Sequence, residues 1–178
     1  MAKNAMILAA GLGLRMRPLT NTLPKPLIPV AGKTMLERAF EHLKNIQISK
    51  IIVNTHYLAP LMENYIKAHH PETLISCEEI LLETGGGIKK ALPLLGEKPF
   101  FTLNGDSIWT SPESLRDMEH IWDEAKMDAL LLVLPREKAH GYERRGDFFM
   151  SKEGALSRPV STASAPFVYI GVQLVNPQ

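Results

Sequence analysis

The chain has 178 residues, 45% of them hydrophobic and 22% charged, which is enough apolar material for the core of one globular domain and too much for a disordered chain. Twenty Lys and Arg stand against nineteen Asp and Glu, a formal charge of +1 spread through the sequence, so the diffuse positive field that holds a protein on nucleic acid or an anionic membrane is missing. Any bound anion must be gripped locally. The lone Cys77 excludes an internal disulfide, no Cys/His spacing suits zinc, and the first apolar run, Ala5 to Ala10, is too short for a signal-peptide core or a membrane span. A cytoplasmic protein with neither nucleic-acid nor membrane partners is expected.

Ala5 to Ala9 is continuously apolar and ends at glycine, the pattern of a parallel strand buried on both faces near a sheet centre. After a loop rich in Gly, Arg, Pro and Thr, Thr34 can cap a helix with Met35, Leu36, Ala39, Phe40 and Leu43 on one side. Ile51 to Val53 predicts a second strand, Leu58 to Ile66 a second amphipathic helix, and Leu74 to Cys77 a short third strand. Glu83 to Gly87 reads as a glycine-rich connection ahead of a helix from Ile88. Phe100 to Leu103 runs as a buried strand into Asn104-Gly105-Asp106, Ser111 and Pro112 open a helix carrying Leu115, Met118, Ile121 and Trp122, and Ala129 to Leu134 is again a strand.

This alternation predicts an α/β fold, a Rossmann-like, mostly parallel sheet with helices on both faces and ligand loops at the strand carboxyl ends. From Pro135 the pattern changes. Asp147 to Met150, Ala155 to Leu156 and Phe167 to Val175 predict a small antiparallel extension or lid beside the sheet near the C-terminus. One domain is expected over 1–178, with a core at 1–134 and a second-substrate part at 135–178. Asn176-Pro177-Gln178 follows a strand without a closing helix, so the C-terminal part is expected to be incomplete.

Chemistry concentrates first in Gly11-Leu12-Gly13-Leu14-Arg15-Met16-Arg17-Pro18-Leu19-Thr20, followed by Pro24-Lys25-Pro26. Glycines let backbone amides approach phosphate oxygens, Arg15 offers a planar fork, and two prolines restrict the backbone that aims the Lys25 ammonium. A dinucleotide-binding turn fits less well, because Met16 stands where its third glycine should be, and the spacing of a P-loop is absent. A tight turn with solvated arginines is the plainer reading. Asn104-Gly105-Asp106 presents a carboxylate to the same crevice, where a lone Asp106 suits Mg²⁺ completed by phosphates and water, or serves only as an Asx turn. The glycines after Glu83-Thr84 let a nucleoside or sugar lie against bare backbone, or simply connect strand to helix. Gly146-Asp147-Phe148 and Tyr169-Ile170-Gly171 either line a second pocket or turn a strand. His56, His69 and His70 have no partner spacing and read as satisfied surface residues.

In order and spacing, Leu8-Ala9-Ala10-Gly11-Leu12-Gly13-Leu14-Arg15-Met16-Arg17-Pro18-Leu19-Thr20, Pro24-Lys25-Pro26 and Gly105-Asp106 resemble the sugar-1-phosphate nucleotidyltransferases, with their nucleotide-diphospho-sugar transferase type of fold. Within that family, Glu83 to Ile88 together with Asn104 to Asp106 and Gly146 to Phe148 look most like the compact N-acetylmuramate 1-phosphate uridylyltransferases of peptidoglycan recycling. Mannose-1-phosphate guanylyltransferase is the alternative, and a catalytically silent nucleotide or sugar-nucleotide sensor is the alternative of another class. The resemblance implies transfer of a nucleoside monophosphate from an NTP to a sugar 1-phosphate with release of pyrophosphate. Its site would comprise Lys25, Arg15 and Asp106 for catalysis, Ala10, Gly11, Leu12, Gly13, Arg15, Lys25, Glu83, Thr84 and Gly85 for the nucleotide, Asn104, Gly146, Asp147 and Gly171 for the sugar, and Asp106 for Mg²⁺. The sequence departs from the family twice. A second metal-binding Asp has no counterpart before Gln178, and Ser157-Arg158-Pro159 stands where E-K-P is frequent.

Overall fold

A computed structural model describes residues 2–160 and 163–178. The chain runs β1 (Asn4–Leu8), β2 (Pro29–Val30), β3 (Lys33–Thr34), α1 (Met35–Lys44), β4 (Lys50–Thr55), α2 (Ala59–His69), β5 (Leu74–Cys77), α3 (Glu83–Leu95), β6 (Phe100–Asn104), α4 (Ser114–Ile121), β7 (Ala129–Pro135), β8 (Phe149–Met150), β9 (Leu156–Ser157) and β10 (Phe167–Val175). Six strands form the main sheet in the order β5-β4-β1-β6-β10-β7. β1 lies parallel to both β4 and β6, with Ile7 opposite Val53 on one side and Leu103 on the other.

The apolar strands are buried on both faces because helices cover both. Ala5, Ile7, Val53, Phe101 and Leu103 pack against α1, α2 and α4, while Met6, Ile52 and Phe100 pack against Ala91 and Leu95 of α3. Successive side chains of one strand thus enter opposite cores. α1 begins where its cap residue stands: the Glu37 amide donates to Thr34 Oγ1 at 3.0 Å, a contact worth about 1 kcal/mol.

Two expectations need correction. β10 is antiparallel, as expected of the C-terminal segments, but it is not a lid and not beside the sheet: it inserts between β6 and β7, with Val172 opposite Leu103 and Leu174 opposite Leu130. Its Val172 and Leu174 are almost fully enclosed in the same core as Phe101 and Leu103. The edge strand β7 is only half-buried, so the inner place is what encloses these two side chains, each full burial worth roughly 1.5–3 kcal/mol. The short β8–β9 hairpin forms a separate antiparallel extension, tied to the start of β10 by a bridge between Phe148 and Phe167. The second correction concerns α3, which starts at Glu83 and takes Gly85, Gly86 and Gly87 into its first turns.

Candidate active site

β1, β4, β5 and β6 are parallel, so their carboxyl ends share one edge of the sheet. The loops leaving that edge enclose a cavity of about 470 Å³. Ala9 to Gly13 forms one wall. Beyond Leu8 the chain leaves the ladder, and the Ala9 amide donates instead to Asn54 Oδ1 at 2.7 Å. Gly11 has open space where a side chain would stand, which leaves its backbone bare toward a ligand. Gly13 turns the chain at φ +64°, and a Cβ there would meet Thr20 Cγ2 at 2.8 Å. The fully buried Thr20 donates from Oγ1 to the Gly13 carbonyl at 2.8 Å, and its own carbonyl accepts from Tyr57 Oη at 2.9 Å. The loop is thereby pinned from behind while its front stays exposed. The following helical turn, Leu14–Met16, carries Arg15 to the rim.

Lys25 stands between two buried prolines, Pro24 and Pro26, at the start of another helical turn. Its Nζ donates to Asp106 Oδ2 in a short ion pair, with the two side chains 23% and 32% exposed, so both remain reachable from the cavity they line. Asp106 reaches this position because Gly105 lets the end of β6 press on β1: the Gly105 amide donates to the Leu8 carbonyl at 2.8 Å, and a Cβ would lie 3.1 Å from that oxygen. Asn104, the last residue of β6, lines the same cavity.

The opposite wall comes from the start of α3. Glu83 and Thr84 line it; Gly85 does not. Glu83 adopts φ +59°, a left-handed conformation that is strained for a residue with a side chain. Gly87 explains why these glycines lie in a helix. A Cβ there would sit 2.7 Å from Glu78 Oε1 and 2.9 Å from Asn54 Nδ2, so tertiary packing overrides the weak helix propensity of glycine.

Ala10, Gly11, Leu12, Gly13, Arg15, Lys25, Glu83, Thr84, Asn104 and Asp106 therefore share one cavity. Gly146, Asp147 and Gly171 lie outside its lining. Gly146 has φ +77°, and a Cβ would stand 2.1 Å from the Ala165 carbonyl oxygen. Asp147 Oδ2 accepts the Tyr169 amide at 2.9 Å, and Oδ1 accepts from Tyr142 Oη at 3.4 Å. Burial first, and then the Asp147 charge, pushes the Tyr142 phenol up. Burial also pushes Tyr169 up to about 12. Gly171, at φ +83°, touches the site indirectly, since a Cβ would stand 2.5 Å from Asn104 Nδ2. Arg158 lies over the Phe148 ring, 5.5 Å from its centroid.

Sequence reasoning missed Asn54 and Glu78, both of which line the cavity. Asn54 and Glu78 stand at or just beyond strand ends beside other polar residues, Thr55 and Glu79, where a cap or turn is the ordinary reading; an Asn directly after the apolar run Ile51 to Val53 and still within the strand was the one available signal. The histidines are satisfied elsewhere. His70 bonds Glu37 Oε2 at 2.7 Å and stacks on Phe40, His69 lies against Tyr65, and the His56 ring contacts the Glu78 carbonyl. His42 stacks on Trp109 of the loop beyond Asp106, with ring centroids 3.8 Å apart, and burial lowers its pKa.

Among the described residues no cluster of three or more His, Cys, Asp or Glu could enclose a metal. A partly exposed carboxylate beside the glycine loop suits a hard cation that keeps its waters and arrives with phosphate, and Asp106 is placed to be that group. No helix of the described residues is long and apolar enough to cross a membrane.

A glycine loop at the end of the first parallel strand, with a lysine and an aspartate from separate elements beside it, defines an α/β nucleotide-handling site. A family model described as nucleotidyl transferase matches residues 4–143, and the chain belongs to that family. The chain is 41% identical over 184 residues to an N-acetylmuramate alpha-1-phosphate uridylyltransferase of Caulobacter vibrioides, an alignment covering 99% of this chain and 76% of that protein. It is 33% identical over 140 residues to a D-glycero-alpha-D-manno-heptose 1-phosphate guanylyltransferase of Aneurinibacillus thermoaerophilus, covering 78% of this chain and 60% of that one. A solved structure of UDP-glucose pyrophosphorylase complexed with UDP-glucose matches the fold with a TM-score of 0.77, at 19% identity over 99% of this chain and 77% of that chain.

Proposed function

We propose that this chain transfers the uridylyl group of UTP to N-acetylmuramate 1-phosphate, giving the UDP-sugar and pyrophosphate. The observation that carries nucleotidyl transfer is the meeting of Lys25 and Asp106 in the cavity walled by Ala9 to Gly13. The choice of uridylyl and of N-acetylmuramate rests on the identity to the Caulobacter vibrioides enzyme across nearly the whole chain.

A sugar phosphate with a second pKa near ~6 is largely a dianion at neutral pH, so its oxygen attacks the α-phosphorus without a general base. One bond forms between that oxygen and phosphorus, and the bond from phosphorus to the pyrophosphate oxygen breaks. Bringing two polyanions together and aligning them is the whole difficulty, which calls for fixed cations and amides. Arg15 and the amides of Ala10 to Gly13 hold the triphosphate, and Lys25 neutralises charge at the α-phosphate. Glu78 and Glu83 line the wall that leads into α3 and repel phosphate, so that wall receives the uncharged nucleoside, with Thr84 beside it and Gly85 following in the first turn of α3. Asp106 would hold Mg²⁺, whose chemistry when bound is charge neutralisation on the phosphates. Asn104 faces the sugar, with Gly171 behind it, and residues 135–178 complete the sugar side of a single domain working in the cytoplasm, with Gly146 and Asp147 holding the backbone of that part rather than touching the sugar.

A guanylyl reading draws on the heptose 1-phosphate guanylyltransferase relative. The test is Mg²⁺-dependent pyrophosphate release with UTP, GTP, dTTP and CTP against N-acetylmuramate 1-phosphate, mannose 1-phosphate and glucose 1-phosphate. UTP with N-acetylmuramate 1-phosphate should give the highest kcat/KM. Preference for GTP would transfer the assignment to guanylyl transfer, and nucleotide binding without release would make the chain a sensor.

A further inference from the structure

Two polar side chains that lie almost entirely beneath the cavity surface join its opposite walls. Asn54 and Glu78 are each 3% exposed. Asn54 Oδ1 accepts the Ala9 amide at 2.7 Å, and Asn54 Nδ2 donates to Glu78 Oε1 at 2.8 Å. Glu78 Oε2 accepts the Leu82 amide at 3.0 Å, one residue before α3 begins. The chain of bonds runs from the first residue of the glycine loop to the residue preceding Glu83. Every member has a defined direction: an amide donates to a carboxamide oxygen, the carboxamide nitrogen donates to a carboxylate, and the carboxylate accepts a second amide. The Glu78 backbone is held as well, with its amide donating to the Thr55 carbonyl at 2.8 Å and its carbonyl contacting the His56 ring at 2.9 Å. Gly87 gives this pair its space.

We infer that Asn54 and Glu78 are positioning residues that hold the phosphate wall and the nucleoside wall at one fixed separation, so that nucleotide affinity depends on the donor and acceptor order of this pair. The inference rests on the nucleotide reading above. Its physical basis is that buried donors and acceptors tolerate no mismatch: facing two donors or two acceptors leaves a desolvated group without a partner, and the backbone it held is released. Asn54→Asp sets two carboxylates against each other. Glu78→Gln leaves one acceptor oxygen for two donors. Asn54→Asp combined with Glu78→Gln reverses the middle bond and satisfies every group again. The carboxylate introduced at position 54 would accept both the Ala9 amide and the carboxamide nitrogen introduced at position 78, while the oxygen of that carboxamide would accept the Leu82 amide.

The experiment measures UTP affinity by calorimetry, steady-state KM and kcat, and Tm for the wild type, both single variants and the double variant. Each single variant should raise Kd and KM for UTP at least about tenfold with a smaller change in kcat, and the double variant should return Kd to within about threefold of wild type, a non-additivity that only directly coupled groups produce. Single variants that lose Tm yet bind UTP as wild type does would reduce the pair to a structural role and overturn the inference. A folded double variant that binds as poorly as the singles also overturns it. Should the singles fail to fold, the double variant decides alone: folded with near-wild-type affinity supports the inference, and unfolded or weakly binding contradicts it. A wild-type chain that binds no nucleoside triphosphate sinks the functional reading and this inference together, whereas wild-type binding without rescue sinks this inference only.

Discussion

The loops at the carboxyl edge of the parallel strands and the segment from Pro135 onward use the same residue types for opposite ends. In the loops, Gly11 leaves its backbone open, and Lys25 and Asp106 remain partly exposed in the cavity. In the later segment, Gly146 and Gly171 exist because a Cβ would strike the Ala165 carbonyl or the Asn104 side chain, and Asp147 is occupied by the Tyr169 amide. A glycine or a carboxylate signals ligand chemistry only when its surroundings leave it available; otherwise it is part of the packing. Activity and stability should therefore separate between the two regions.

The largest separation is expected at Lys25→Ala. Loss of a preorganised charge-stabilising group costs about 2.7–4 kcal/mol of barrier, so kcat for pyrophosphate release should fall on the order of 10²–10³-fold while Tm stays within a few degrees. Unaltered kcat would remove Lys25 from the mechanism. Gly171→Ala should act on both properties, because strain at φ +83° and collision with Asn104 destabilise by about 1–3 kcal/mol and displace a cavity residue. Tm should fall, and KM for the sugar phosphate should rise. Asp147→Ala should cost about 1–3 kcal/mol through the stranded Tyr169 amide, read as a lower Tm. A raised sugar-phosphate KM with no change in Tm would instead give Asp147 a ligand.

The smallest effect is expected at His42. Burial lowers its folded pKa, so below the ordinary histidine value near ~6.5 the unfolded chain takes up the proton more readily, and stability drains as pH falls through that value. His42→Gln should narrow the Tm difference between neutral pH and about pH 5.5 by a few degrees at most. An unaltered difference would show that the stack on Trp109 does not carry this pH dependence.

Much of this was readable from the letters, for identifiable reasons. Ala5 to Ala9, Phe100 to Leu103 and the Thr34 cap depend on local patterns, apolar runs and a side chain three residues from its amide, and they appear where those patterns place them. The glycine loop, Lys25 and Asp106 were legible because their chemistry is written in short motifs. The helical state of Gly85 to Gly87 was not, since it depends on Gly87 meeting Glu78 and Asn54 across the fold. Nor was the insertion of Phe167 to Val175 between β6 and β7, because strand order is a property of the whole sheet. Asn54 and Glu78, 24 residues apart, show no motif at all.

A crystal structure of the chain with UTP and Mg²⁺ bears most directly on the convergence of Lys25 and Asp106 upon one triphosphate. The expected density places the phosphates along Ala10 to Gly13, with the Lys25 ammonium against the α-phosphate and the Asp106 carboxylate on the cation. Phosphates bound away from Lys25, or a nucleotide seated outside this cavity, would contradict it.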